Sequence, residues 1–314
     1  MKKILPLFFL LPLFSSAQTA KSYFKQGNQK ADSAKYSEAI VCYAQAIALD
    51  PQYRDAYREK VKAELKIQDR KDAVKDLTMI IQMDPKDIGA LEVRAGEKYY
   101  LKDYNGAIED NSTLLTIDPK NLRALNGRAQ ARSLLKDYIG AIQDYTSALA
   151  LDDKYKYADL INRGVVKMNM KDYSGAIDDF TKSIAIKPFT GSYMNRGNSK
   201  MRLDDYDGAI ADFTQAIAIF PKVINTQNEQ NHNMALASGY EDRGEAWLKK
   251  KDYKAALADF EQALILNSTN AKAYNGRANA KNQTGDHDGA CEDWRTALNL
   301  GYAPAGDSIK KYCH

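Results

Sequence analysis

Apolar and small residues recur along this chain with a period of about 34 residues. Within one period, residues 190–223, the pattern reads as two amphipathic helices around a polar turn. Tyr193, Arg196, Gly197 and Lys200 belong to the first helix, and Asp204-Asp205-Tyr206 to the turn. Ala209, Ile210, Phe213, Ala216, Ile217 and Ile219 follow at the three- and four-residue spacing of one helix face, up to Pro221, which cannot continue a helix. A repeat of this length predicts stacked helical hairpins rather than one globular core.

The same slots recur in the other periods. Ala39, Ala73, Ala107, Ala141, Ala176, Ala209, Ala256 and Ala290 mark the second helix. Twelve residues earlier stand Gly27, Ala95, Ala129, Gly164, Gly197, Gly244 and Ala278, with Val61 as the exception. Two helices approach closely only where both lack bulk. Four residues after the alanine comes a bulky residue: Tyr43, Tyr145, Phe180, Phe213, Phe260 or Trp294. Leu77 fills that slot less fully, and Asn111 departs from it, which predicts poorer packing in the third repeat.

These slots, taken together, resemble the tetratricopeptide repeat (TPR) family over nearly all of residues 20–304. The resemblance implies an all-α, right-handed superhelical solenoid of about eight helix-turn-helix repeats with a C-terminal capping helix. Repeats are expected at 20–53, 54–87, 88–121, 122–155, 157–189, 190–223, 237–270 and 271–302, with an insertion at 224–236 and a cap helix at 303–313. Lys30, Lys98, Arg132, Lys167, Lys200 and Lys281 stand where the family commonly has Tyr; their stems are expected to cover the same surface while the charge stays in water. Arg94, Arg128, Arg163, Arg196, Arg243 and Arg277 each precede an aspartate by sixteen residues: Asp110, Asp144, Asp179, Asp212, Asp259 and Asp293. This ladder reads as ion pairs within or between hairpins in preference to a row of ligand-binding arginines.

Family resemblance also implies peptide binding in a concave groove lined by the first helices. Subtracting packing positions leaves Arg58 and Lys62 as a basic stretch, and Asn126 and Gln130 as a polar one. Ile161, Val165, Met168, Met194 and Met201 then read as apolar, with Asn198 beside them. Glu241 and Glu245 are acidic, and Asn275 and Asn279 end the series. Met168 and Met201 are open to a second reading, as packing between helices. The family's clamp for a terminal carboxylate is not found, since Phe24 stands where its first lysine belongs. The expected function is a noncatalytic scaffold binding a protein or peptide partner. The alternative is a glycan- or small-ligand-binding carrier using groove Asn and Gln with Tyr99-Tyr100.

Residues 1–17 read as a bacterial signal peptide. Lys2 and Lys3 precede the apolar run Ile4 to Phe14, and Ser15-Ser16-Ala17 offers a cleavage site before Gln18. An uncleaved anchor is the alternative. The rest, 18–314, reads as one exported solenoid, periplasmic or secreted, with no second apolar segment. The formal charge of +4 is too small to point to nucleic acid. The inserted Asn225 to Asn233 stretch is polar and poor in helix signals, a loop expected either to read a partner or to be tolerated.

Three cysteines remain. Cys291 takes the slot after the repeated alanine, facing the cap, and Cys313 shares a cap-helix face with Ala305 and Ile309. In an exported chain this predicts a Cys291–Cys313 disulfide. The competing reading is a zinc site from His287, Cys291, Cys313 and His314, weakened because adjacent Cys313 and His314 point apart. Cys42 reads as a lone buried residue. No phosphate-binding glycine loop or catalytic constellation is present, so no cofactor and no enzymatic activity are expected.

Overall fold

A computed structural model describes residues 11–151, 156–220 and 229–313. Those residues form seventeen α-helices and no strand, an all-α superhelical repeat fold. The chain divides into two units, Met1–Leu151 and Asp152–His314. The first unit contains α1 (Leu11–Asp32), α2 (Tyr36–Leu49), α3 (Arg54–Lys66), α4 (Arg70–Met83), α5 (Ile88–Tyr100), α6 (Tyr104–Ile117), α7 (Leu122–Leu134) and α8 (Tyr138–Ala150). The second contains α9 (Lys156–Asn169), α10 (Tyr173–Ile186), α11 (Thr190–Met201), α12 (Tyr206–Ala218), α13 (Glu229–Lys249), α14 (Tyr253–Leu266), α15 (Ala271–Gln283), α16 (His287–Asn299) and α17 (Ala305–Tyr312). Odd-numbered helices open the hairpins. They also touch one another, as α5 does α7 and α13 does α15, which makes them one layer of each unit.

Each hairpin closes on its small residues. All eight repeated alanines are at most 1% exposed. The ring slot packs directly on the small slot sixteen residues before it. A Cβ built on Gly27 would lie 2.5 Å from the Tyr43 ring, and one on Gly164 or Gly197 would lie 2.7 Å from the ring of Phe180 or Phe213. These contacts are too close for any side chain, so the glycines are set by packing. The turns repeat as well. Ala34, Gln68, Lys102, Lys136, Lys171, Asp204, Lys251 and Gly285 each take a positive φ just past the first helix. In seven of the eight turns an aspartate follows and caps the second helix: Asp69, Asp103, Asp137, Asp172, Asp205, Asp252 and Asp286 each accept a backbone N–H.

Every arginine of the ladder is bidentate on its aspartate within the hairpin, as in Arg94 Nη2 to Asp110 Oδ1 at 2.6 Å and Nε to Oδ2 at 2.9 Å. Arg94, Arg128, Arg196 and Arg243 also donate to a hydroxyl of the preceding hairpin, on Thr78, Ser112, Thr181 and Thr214 respectively. Five of the six cations expected to stay in water are corrected here, while Lys30 stays exposed beside Glu38. Lys98, Arg132, Lys167, Lys200 and Lys281 bond the same buried aspartates at 2.7–3.1 Å. They also donate to a glycine carbonyl at the start of the second helix. The bidentate arginine leaves acceptor sites free on the buried carboxylate, and a second cation fills them with a charge-assisted hydrogen bond. The second repeat inverts this arrangement: Lys60 alone serves Asp76 and Glu64. Burial, opposed by Lys60, pushes the Glu64 carboxyl well above the usual range.

One boundary differs from expectation. The insertion 224–236 is not all loop. Residues 224–228 lie outside the described residues, but α13 starts at Glu229, eight residues before the expected repeat. Once a core helix is nucleated, adding turns to it is easy even for Asn-rich sequence, and His232 packs edge-on against Phe220 at 4.9 Å. At the N-terminus, residues 1–10 of the expected signal segment lie outside the described residues. α1 runs through the expected cleavage position from Leu11. No helix among the described residues is long and apolar enough to cross a membrane.

At the other end, α17 covers α16. Cys291 and Cys313 are joined by a disulfide with Cα atoms 5.7 Å apart, and Tyr312 stacks on Trp294 at 5.5 Å. The bridge uses both sulfurs that a zinc site would need; His287 instead meets Asn282 at 2.8 Å. Cys42 is a free thiol and half-buried rather than buried. Replacing Cys313 with Ser opens a link across 22 residues. The expected cost is about 2–3 kcal/mol, read as a lower melting temperature for the variant, matched by the native protein in reductant. An unchanged melting temperature would show that packing alone seats the cap.

Candidate functional site

The exposed layer formed by the first helices carries the residues that packing leaves over. In the second unit these surround a trough of about 740 Å³. Asn198 of α11, Glu241 and Glu245 of α13, and Asn275 and Asn279 of α15 line it together with Met168 and Met201. Asp242 also lines it, flanked by Lys249 and Lys272. Burial and the neighbouring Glu241 charge push the Asp242 carboxyl up to about 6, against a hydrogen bond from Asn198. Ile161 and Met194 are half-buried, and Val165 is exposed. Met194 and Met201 pack partly on the cluster of Ala209, Ile210, Phe213 and Ala246, so they serve the core and the surface at once.

Several expected site residues have structural work. Arg58 pairs with Asp87 at 2.6 Å, and Asp87 caps α5. Glu241 accepts from Asn270 at 2.7 Å, and Asn270 caps α15. Glu92 accepts from Asn121, the cap of α7, in the same way. In these three hairpins the position therefore ties one hairpin to the entry of the next. Asn279 accepts from the Trp294 indole at 3.2 Å. Lys62 and Glu245 have only exposed partners on their own helices, Glu59 and Lys249. Gln130 is exposed, and the buried Oδ1 of Asn126 has no hydrogen-bond partner. An acceptor left in that state favours any ligand that brings an N–H.

In the first unit the side-chain reading missed a cavity. About 330 Å³ opens between α5, α6 and α7, lined by Glu92, Val93, Ala95, Gly96, Tyr99, Tyr100, Asn111, Arg123, Gly127 and Gln130. Asn111 was the available signal, as the one short polar residue in the ring slot. Gly96 gave none, because a glycine contributes no side chain to count. Tyr99 and Tyr100 meet edge-on at 6.1 Å, Tyr99 also meets Tyr104, and the Arg70 guanidinium lies 4.4 Å over one face of Tyr100. A second hollow of about 380 Å³ involves Arg58, Lys62, Leu65 and Leu77.

Comparison with known proteins accords with this layout. One family model described as tetratricopeptide repeat matches residues 20–53 and 190–223, and a second of the same description matches 241–299. Among solved structures, the C-terminal part of a TPR repeat-containing protein from Cytophaga hutchinsonii superposes with a TM-score of 0.65 at 17% identity, over 81% of this chain and 98% of that one. A tetratricopeptide repeat protein from Parabacteroides merdae gives 0.55 at 18% identity, over 84% and 99%. The APC/C hetero-tetramer Cut9-Hcn1 gives 0.56 at 18% identity over 89% of this chain but 53% of that one, so this chain spans about half its length. At such identities the likeness is one of fold. No curated protein matches the sequence.

Proposed function

We propose, from the premise that the chain is a tetratricopeptide repeat protein, that it is a noncatalytic scaffold of the bacterial cell envelope. It holds an extended segment of a protein partner against its first helices. The observation that carries this reading is the open trough of the second unit. There, the lining changes from apolar at Met168 and Met201 to acidic at Glu245 over a surface large enough for a peptide. The leader-like residues 1–17 and the Cys291–Cys313 bridge support export to an oxidising compartment. The carrier reading is less favoured, because the Arg70 guanidinium already lies over one face of Tyr100.

Affinity capture from envelope extract tests the scaffold reading. Wild-type protein is expected to retain a defined protein partner. A Met168→Asp/Glu245→Lys variant, altered only at two residues that line the trough, is expected to lose at least tenfold in retention. Equal retention by both proteins would reject the trough as the site. Binding of oligosaccharide with no protein retained would reject the scaffold.

A further inference from the structure

In the seventh repeat an aromatic ring lies wedged between two small residues sixteen positions away on either side. Phe260 shows the arrangement: a Cβ on Gly244 would lie 3.0 Å from its ring, and one on Gly276 would lie 2.3 Å from it. The third repeat keeps both flanks, Ala95 and Gly127, and replaces the ring with Asn111. That amide folds back on its own helix, donating to the Ala107 carbonyl at 2.8 Å. A Cβ on Gly127 would meet only the Asn111 side chain, at 3.0 Å. The 330 Å³ cavity is lined by these same residues, Ala95, Asn111 and Gly127, so it lies in the place that other repeats fill with their own ring.

A second substitution opens this space to the inner face. The position after the small slot carries Asn28 in the first repeat and Asn279 in the last, and both accept from the ring's polar tip, Tyr43 at 2.8 Å and Trp294 at 3.2 Å. In the third repeat the position is Gly96, and a Cβ there would meet nothing within 4 Å. The chain has therefore lost both the ring and the residue that covers it, in one repeat, at adjoining places. Tyr99 forms an aromatic wall, and Glu92, Arg123 and Gln130 stand at the rim.

We infer that this cavity receives an aromatic side chain of a bound peptide, which completes the ring slot of the third repeat from outside. The flanks already fit a ring, and the Tyr99 wall favours edge-to-face packing of a second one. The rim offers hydrogen-bonding groups of both kinds to a peptide backbone. The inference deepens the scaffold reading by naming the residue type of the partner's anchor.

The test uses two blocked peptides, acetyl-Ser-Gly-Phe-Gly-Ser-Gly-amide and its counterpart with Ala for Phe, titrated into ¹⁵N-labelled full-length protein. The Phe peptide is expected to shift the Gly96 and Gly127 amides saturably, and the Ala peptide to bind at least tenfold more weakly. Asn111→Phe should remove the response and raise the melting temperature, because the slot is then filled from within. Gly96→Leu covers the mouth without touching the core and should remove the response by itself, so the test does not depend on the first variant folding. Equal responses to Phe and Ala peptides, or an undiminished response in both variants, would overturn the inference. If a captured partner is retained while the Phe peptide gives no response, the anchor is wrong and the scaffold stands. If the Phe peptide seats and no protein partner is captured, the reverse holds.

Discussion

Asp179→Ala is expected to destabilise the second unit by about 3–5 kcal/mol, read as a shift in urea midpoint. Asp179 is 1% exposed and receives Arg163 at 2.9 and 2.6 Å and Lys167 at 2.8 Å. Burial works against its charge, but the hydrogen bonds from Arg163 and Lys167 outweigh burial and hold the carboxyl below the usual range. Removing it strands two cations between α9 and α10, and the cost comes from their loss of a partner more than from the pair's own strength. The pH dependence has a definite sign. A depressed folded pKa means that this stability is fully present above the unfolded value of about 4 and is lost as pH falls through the folded value. The Asp179→Ala variant should therefore lose less stability on acidification than the parent. A cost below about 1 kcal/mol would mean that the two cations find water, and that the ladder is a surface feature.

Phe260→Ala is expected to cost a comparable 3–5 kcal/mol. The ring is 1% exposed and its flanks are Gly244 and Gly276. Neither glycine has a side chain that can swing in, so the site collapses little and the loss should fall toward the upper end for Phe→Ala. Asn111 is the built-in comparison: small flanks, Ala95 and Gly127, with no ring between them. If Phe260→Ala costs less than about 2 kcal/mol, backbone closure heals such gaps in this fold, and the open slot of the third repeat would be a transient one.

The period, the small slots, the ring slots and the sixteen-residue ladder were legible in the sequence because each recurs and each has a steric or electrostatic meaning. The destination of Lys98, Arg132 and their equivalents was not. Whether a long cation reaches water or a carboxylate depends on the gap between two helices, and periodicity carries no distance. The Lys60–Asp76 pair is hidden for a related reason, since the recurring cation of the ladder is arginine and a single lysine breaks its pattern. Helix α13 began early because continuity with a core helix overrides the weak local signal of Asn231 and Asn233. Among the site residues, Lys62, Val165 and Glu245 were found by subtraction. Arg58, Glu241 and Asn279 survived the same subtraction although they bond caps or a ring, because side-chain bonds across repeats leave no trace in spacing. Gly96 escaped since subtraction counts what side chains add, and the opening depends on one that is missing.

The constancy of the sixteen-residue separation governs where this chain tolerates change. From Arg94 to Arg277 the distance between successive arginines varies from 33 to 47 residues, while each arginine-to-aspartate separation stays at sixteen. All of the length variation has therefore accumulated outside the hairpin. One residue added inside it would rotate the aspartate about 100° around its helix and turn it away from both cations. The hairpin thus behaves as a cassette, to be gained, lost or moved whole, and the joints between cassettes accept grafts. A tether, tag or reporter belongs after Asp50, Asp84 or Asp118, and not beside Lys102 or Lys136.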